Sequence, residues 1–108
     1  INWHKPAEFV KNFIHGLSPY PAAHTYIRHK EQEGLKTLKV FKARFGKPAA
    51  NKIPGLIESD GKTYLRIACQ DAFLDILELQ MEGKKKMPVD TFLRGTPITN
   101  YEIANKHD

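Results

Sequence analysis

Residues 64–81, YLRIACQDAFLDILELQM, decide the fold because they contain two strands and the turn between them. From Leu65 to Cys69 every second residue is apolar, which is the period of a strand with one buried face. From Phe73 to Met81 both alternating sets of residues contain large apolar side chains. Such a strand is buried on both faces, so we predict that it lies in the middle of the sheet.

Three more strands are predicted upstream of this pair. The five predicted strands are Ala23–Lys30, Leu35–Phe45, Gly55–Glu58, Tyr64–Cys69 and Phe73–Met81. The breaks between them read QEG at 32–34, GKP at 46–48 and SDGK at 59–62, and these residue types favour turns. Within the last break, Asp60-Gly61 between two strands predicts a hairpin.

Two helices flank the predicted strands. Pro6 suits the first turn of the first helix, and Gly16 suits the position just past its end. The apolar stripe of this helix, which we expect to cover the open end of the sheet, is Phe9, Val10, Phe13, Ile14 and Leu17. The second helix is the short segment Pro88–Arg94, which Gly95 ends. The tail 96–108 has few apolar residues and is expected to fray.

This order of elements predicts a mainly β protein. One helix followed by five short antiparallel strands favours a small Greek-key barrel resembling the oligonucleotide-binding fold, with an N-terminal helix and a short C-terminal helix. Five strands also fit a half-open roll, which the sequence does not distinguish from a barrel. At 108 residues the chain fits a single domain, 1–108. Because it opens on Ile1 rather than Met, an excised domain is expected.

Composition excludes several classes of protein. No apolar run approaches the roughly 18 residues of a membrane span, and no signal-peptide pattern is present, so a cytoplasmic monomer is expected. The single cysteine, Cys69, excludes an internal disulfide and a zinc site made of several cysteines. No two of the five histidines have metal-ligand spacing with an acid between them, so no metal site is predicted.

No catalytic constellation is predicted either. Ser18 and Ser59 are the two serines, and both fall in predicted turns without a nucleophile-elbow sequence. Cys69 lies in an apolar strand, where a buried and unreactive thiol is expected. Asp71 and Asp75 flank a turn and are interpreted as solubilising acids rather than an acid–base pair. We therefore predict no active site within these residues.

Positive charge is concentrated in two segments. The formal net charge is +5; residues 36–47 contain five cations and no acid, and residues 84–95 contain four cations against one aspartate. Segregated charge of this kind suits a phosphate-binding face, although a solvated surface would have the same composition. In a regular strand over 38–45, Lys42 and Arg44 share one face and Lys39 points the other way. We expect Phe41 and Phe45 to belong to the core.

The segment 77–95, LELQMEGKKKMPVDTFLRG, resembles the closing motif of methionyl-tRNA formyltransferases: a strand ending Leu-Gln, then Gly-Lys-basic-Met, then a short helix ending Phe-Leu-basic-Gly. Residues 1–7, INWHKPA, and 16–22, GLSPYPA, resemble the entry into the same domain of that family. Pro54-Gly55 and Ala68-Cys69 fit the intervening strands. The family has Trp-Pro-Gly where this chain has Tyr20-Pro21-Ala22, which affects only the contact between linker and barrel.

The resemblance implies a function. Those enzymes transfer a formyl group from 10-formyltetrahydrofolate to the methionine of initiator tRNA, with catalytic Asn, His and Asp in a Rossmann-like N-terminal domain that has no matching positions here. A C-terminal barrel helps to hold the tRNA. The resemblance therefore implies a barrel without its own cofactor, whose partners are initiator tRNA and the catalytic domain in cis. The cations in the matching segments, expected to bind tRNA, are Lys39, Lys42, Arg44, Lys84, Lys85, Lys86 and Arg94.

Three alternatives remain open from the sequence. A related formyltransferase acting on a sugar nucleotide or another small amine would use a similar C-terminal barrel. A free-standing oligonucleotide-binding module would bind nucleic acid without an attached enzyme. A purely structural barrel would have the same charges as ordinary surface.

Overall fold

Seven strands and two α-helices make up the part of the chain that the structure describes. The computed structural model describes residues 1–49 and 51–104. In chain order the elements are α1 (Ala7–Leu17), β1 (Ala23–His29), β2 (Lys36–Pro48), β3 (Ile57–Ser59), β4 (Leu65–Ala68), β5 (Ala72–Met81), β6 (Met87–Pro88), α2 (Val89–Gly95), a 3-10 turn (Ile98–Asn100) and β7 (Tyr101–Ala104).

The strands form one antiparallel sheet in the order β3-β4-β5-β2-β1-β7, with β6 paired to β5. Strands β3, β4 and β5 follow one another as neighbours, and β2 lies beside β5, which is the Greek-key arrangement. β3 packs near the 3-10 turn that leads into β7, so the sheet curls into a nearly closed barrel. The predicted mainly β barrel with two flanking helices is confirmed, and so is the central position of β5.

The main apolar core fills the barrel and extends under α1. Ala7, Val10 and Ile14 of α1 are buried in the same cluster as the inward side chains of the strands. Trp3 joins this cluster, and its indole Nε1 donates a hydrogen bond to Thr25 Oγ1 at 3.1 Å, so the buried polar atoms are paired. α1 therefore covers the core, as its apolar stripe predicts.

The stripe itself is narrower than the sequence suggests. The core-facing residues are spaced i, i+3 and i+7, and Leu17 packs against them, whereas Phe9 and Phe13 lie on one flank and remain exposed. The expectation that both phenylalanines are buried is wrong, because the helix covers the core along a narrower line than the five apolar residues define. Gly16 also lies inside the last turn of α1 rather than after it.

The pairing of β2 with β5 contains three irregularities. Val40 lies opposite Leu79 and Lys42 opposite Glu78, so Phe41 is an extra residue on β2. Ala43 lies opposite Ile76, which makes Leu77 the extra residue on β5. The third shift follows Phe45. There the two strands approach closely. A Cβ placed on Gly46 would lie 3.1 Å from the Phe73 carbonyl oxygen, which favours glycine at this position.

The sequence misses two strands at the C-terminal end. β7 pairs with β1 from Tyr26 opposite Ala104 to His29 opposite Tyr101, and Ile98 is fully buried. The expectation of a fraying tail is wrong up to residue 104, because the edge of β1 supplies a distant hydrogen-bonding partner that the local sequence does not reveal. Residues 105–108 lie outside the described part of the chain. The other missed strand, β6, has two residues.

Asp71 and Asp75 have structural partners, so the interpretation of both as solubilising acids is wrong. Asp71 Oδ1 accepts a hydrogen bond from the Ala7 backbone N–H at 2.8 Å, which satisfies one of the free donors at the start of α1. The Gln70 backbone N–H donates to the Lys5 carbonyl at 3.1 Å, so the turn between β4 and β5 and the start of α1 are joined twice. Asp75 pairs with Arg44 of β2.

Substituting Asp71 by Ala is expected to lower the free energy of unfolding by about 1 kcal/mol, because the start of α1 loses its side-chain acceptor. Urea denaturation followed by circular dichroism measures this. Glu33→Ala is the matched control, since Glu33 lies in an exposed turn and its carboxylate accepts no hydrogen bond from any described residue. Equal effects of the two substitutions would contradict a capping role for Asp71.

Asp60 organises the loop that joins β3 to β4. Its carboxylate accepts hydrogen bonds from the Thr63 hydroxyl and from the backbone N–H groups of Lys62, Thr63 and Tyr64. These donors, the Thr63 hydroxyl first, stabilise the ionised form and hold the pKa of Asp60 well below its usual range. The predicted hairpin is confirmed, with β3 and β4 paired from Ile57 opposite Ile67 to Ser59 opposite Leu65.

Because the folded pKa of Asp60 is depressed, its contribution to stability is complete above the unfolded pKa of about 3.9 and is lost as the pH falls below it. We expect Asp60→Asn to flatten the fall in unfolding free energy between about pH 5 and pH 2 relative to the unsubstituted chain. Denaturation at a series of pH values measures this slope. Asp90→Asn removes an equal charge elsewhere; a slope changed equally by both substitutions would contradict the assignment to the loop.

Candidate nucleic-acid interface

Three of the candidate cations emerge from the same side of β2. Leu38, Val40 and Ala43 of β2 point into the core, so the residues between and beyond them, Lys39, Lys42 and Arg44, are exposed. The expectation that Lys39 points away from Lys42 is wrong, because the bulge at Phe41 shifts the alternation by one residue. We call these three residues, together with Lys86, the basic face.

Lys86 reaches this face from the loop before β6. Its Nζ lies 3.1 Å from Glu78 Oε1 and 4.5 Å from the centre of the Phe41 ring. Because Glu78 is the register partner of Lys42, the loop cation is held beside the β2 cations. Gln80 Nε2 donates to the Lys84 carbonyl oxygen at 2.9 Å, which ties the same loop to β5.

The remaining three candidates lie elsewhere along the loop and α2. Lys84 Nζ donates to Thr96 Oγ1 at 2.7 Å, so this side chain is directed toward the end of α2. Arg94 lies 3.8 Å from Asp90 on the same helix, and Lys85 is exposed in the loop. The structure therefore brings four of the seven candidates together, and nucleic-acid binding by any of them stays a prediction.

Acidic neighbours partly neutralise the basic face. Arg44 Nε lies 3.4 Å from Asp75 Oδ2, and Lys86 is paired with Glu78. Lys39 and Lys42 have no acidic partner within 4 Å among the described residues. An anion that binds here must compete with two carboxylates for Arg44 and Lys86 but not for Lys39 and Lys42.

The two aromatic residues of β2 differ from each other in burial, so the expectation that both belong to the core is wrong for Phe45. Phe41 is 5% exposed and is buried as expected, although its ring lies outside the main core cluster, under the Lys86 ammonium group. Phe45 is 52% exposed, and the ammonium group of Lys11 on α1 lies 4.9 Å from its ring centre. The sequence offers no signal for Lys11, because only the packing of α1 beside β2 brings it there.

The two bulged residues open a cleft beside the basic face. The cleft has a volume of about 330 Å³ and is lined by His15, Ser18, Phe41, Lys42, Ala43 and Leu77. Inside it, His15 Nε2 accepts a hydrogen bond from the Ala43 backbone N–H at 3.2 Å, so the bulge does not leave this donor unpaired. A neutral imidazole that accepts through Nε2 has its proton on Nδ1.

The thiol in the core is chemically inert. Burial, and secondarily the charge of Asp71, raises the pKa of Cys69 to about 12, so the thiol is protonated at neutral pH and is not a nucleophile. In residues 1–49 and 51–104, no three His, Cys, Asp or Glu side chains cluster closely enough to hold a metal ion. No helix in this part of the chain is both long and apolar enough to cross a membrane.

These features define a class: a small Greek-key barrel with a cationic outer face. Residues 1–97 match the family model described as formyl transferase, C-terminal domain. The chain therefore belongs to the formyl transferase C-terminal domain family, and the resemblance noted in the sequence is confirmed.

Several longer proteins that are similar to this chain are named methionyl-tRNA formyltransferase. The chain is 40% identical over 99 residues to the methionyl-tRNA formyltransferase of Bacteroides fragilis, covering 92% of this chain and 30% of that protein. It is 40% identical over 106 residues to the protein of the same name from Parabacteroides distasonis, covering 96% of this chain and 32% of that protein. The chain is 33% identical over 108 residues to the methionyl-tRNA formyltransferase of Citrifermentans bemidjiense. This alignment covers 100% of the chain and 31% of that protein. The chain thus spans about three tenths of the length of these relatives.

Removing the Glu78 carboxylate is expected to strengthen polyanion binding, because Lys86 loses the acid that neutralises it. Glu78→Gln is expected to elute from heparin at higher salt than the unsubstituted chain. Glu102→Gln changes the net charge equally but releases Arg28 on another part of the sheet. If both variants shift equally, net charge alone controls retention and the basic face has no special role.

Proposed function

We propose that this chain is the tRNA-binding domain of a methionyl-tRNA formyltransferase. In this proposal a catalytic domain in cis transfers the formyl group from 10-formyltetrahydrofolate to initiator Met-tRNA, and the barrel holds the tRNA without its own cofactor. Two findings support it: the family match over residues 1–97, and relatives with this name that are about three times longer than the chain. We also propose the cytoplasm as the compartment in which this chain acts.

The observation that carries the proposal is the basic face itself. The bulge at Phe41 turns Lys39 to the same side as Lys42 and Arg44, and the basic loop adds Lys86. Along a strand that rises about 3.3 Å per residue, residues 39–44 extend over roughly 16 Å. Successive phosphates of one strand advance about 3.4 Å along a duplex axis, so a face of this length spans several phosphates.

The cations are expected to contribute unequally to the affinity for tRNA. Lys39 and Lys42 have no acidic partner among the described residues, so each binds a phosphate without first breaking an ion pair. Arg44 and Lys86 exchange a carboxylate for a phosphate and gain less. Lys84, Lys85 and Arg94 lie along the loop and α2, where we propose that they contact a second part of the same tRNA.

Backbone contacts of this kind hold a nucleic acid without reading its sequence. The isolated domain is therefore expected to bind with a dissociation constant on the order of 10⁻⁴ to 10⁻⁶ M, as nonspecific backbone binding does. Discrimination of the initiator then comes mainly from the catalytic domain.

Neutralising Lys39 and Lys42 together, as Lys39→Gln with Lys42→Gln, is expected to weaken binding of initiator tRNA and to reduce the log–log salt slope by about 0.7–0.9 per lost contact. Titrations at several salt concentrations give both quantities. Lys30→Gln with Lys62→Gln removes the same net charge outside the basic face. Circular dichroism establishes that both double variants remain folded.

Three results would count against the proposal. Equal weakening by both double variants would mean that the basic face is not the binding surface. Absence of tRNA binding at low salt would favour a structural barrel or a formyltransferase with a small acceptor. A strong preference of the isolated domain for initiator over other tRNAs would contradict binding through the backbone alone.

A further inference from the structure

The cleft beside the basic face combines features that backbone binding does not require. Its apolar lining comes from Phe41 and Leu77, the two residues that the bulges push out of register. Lys42 supplies a cation at its edge, and Ser18 supplies a hydroxyl. A volume of about 330 Å³ lies at the low end of the range for small-molecule sites, about the size of a single nucleotide.

We propose that this cleft binds one unpaired nucleotide of the RNA that lies on the basic face. The base contacts Phe41 and Leu77, while the flanking phosphates contact Lys42 and Lys86. This inference rests on the proposed function and adds base contact to it. The predicted partner is therefore a single-stranded or looped-out nucleotide rather than duplex alone.

The chemistry of the lining favours a base over other occupants. Aromatic side chains stack on bases that are unstacked from their neighbours, and cations beside the ring hold the backbone. Here the ammonium group of Lys86 already lies 4.5 Å from the Phe41 ring centre. A base that enters the cleft displaces this ammonium group, which then pairs with a phosphate in place of Glu78.

The polar groups of the lining fit hydrogen bonding to a base edge. Ser18 has a hydroxyl that both donates and accepts, and none of the hydrogen bonds found among the described residues uses it. His15 has its Nε2 occupied by the Ala43 N–H, so its position is fixed by the strand. A peptide segment would also find apolar contacts here, but the adjacent Lys42 and Lys86 favour an anionic chain.

The open cleft is expected to hold a free nucleotide only weakly. When the nucleotide belongs to an RNA already bound on the basic face, its effective concentration at the cleft is high, and base contact adds to backbone binding. The inference therefore predicts a preference for single-stranded RNA with bases over an abasic strand of the same length and charge.

The test compares the affinities of the 108-residue chain for a short single-stranded RNA and for the same sugar–phosphate strand without bases. Phe41→Leu is expected to lower affinity for the RNA by roughly 5- to 100-fold, the range for loss of one aromatic stack, and to leave the abasic strand unaffected. Phe45→Leu is the matched control: it lies on the same strand, also has a lysine ammonium group over its ring, and does not line the cleft.

A second variant guards against a folding defect at the nearly buried Phe41. Leu77→Phe, at a partly buried position, fills the cleft without changing any charge. It is expected to weaken RNA binding to the level of the abasic strand while preserving the salt slope.

The outcomes separate this inference from the proposed function. If the unsubstituted chain binds RNA and abasic strand equally, with a steep salt dependence, the cleft inference is wrong and backbone binding stands. If Phe45→Leu weakens RNA binding as much as Phe41→Leu, or if Leu77→Phe has no effect, the cleft is also not the site. If neither strand binds, both the inference and the proposed function fail.

Discussion

The irregular pairing of β2 with β5 is the constraint on which the rest of the structure depends. The two strands pair from Leu38 opposite Met81 to Pro48 opposite Ala72, and a strand of thirteen residues must bend to wrap a barrel this small. Bulges supply that bend and increase the local twist. They also change the alternation of side chains, so that Val40 and Ala43 are both in the core although they are three residues apart.

The same irregularity produces the surface that carries the proposed function. Once the alternation shifts, Lys39 is exposed on the side of Lys42 and Arg44. Phe41 and Leu77 lie outside the main core cluster and line a cleft. A bulge leaves backbone groups without a hydrogen-bonding partner on the neighbouring strand. His15 of α1 supplies such a partner, because its Nε2 accepts a hydrogen bond from the Ala43 backbone N–H. The helix, whose start is held by Asp71, is therefore part of the site as well as a cover for the core.

Local patterns predict those parts of the fold that depend on neighbouring residues. The two apolar sets from Phe73 to Met81 indicate a central strand, Asp60-Gly61 indicates a hairpin, and the cations between 36 and 47 indicate a basic strand. Each of these signals lies within one element, where periodicity or turn chemistry acts directly. β7 is missed for the converse reason: Tyr101–Ala104 is a strand only because β1 offers it an edge more than seventy residues away in sequence.

The sequence by itself determined the central strand, the mainly β class and the presence of a basic segment, because apolar periodicity, turn residues and charge are properties of contiguous residues. The family followed from the resemblance of residues 77–95 to a known motif. The tertiary structure alone decided which cations share a face, which of them are neutralised by Asp75 and Glu78, and that Phe41 borders a cleft. Those outcomes depend on the register between two strands. A shift of one residue in that register reverses the side on which every following side chain emerges.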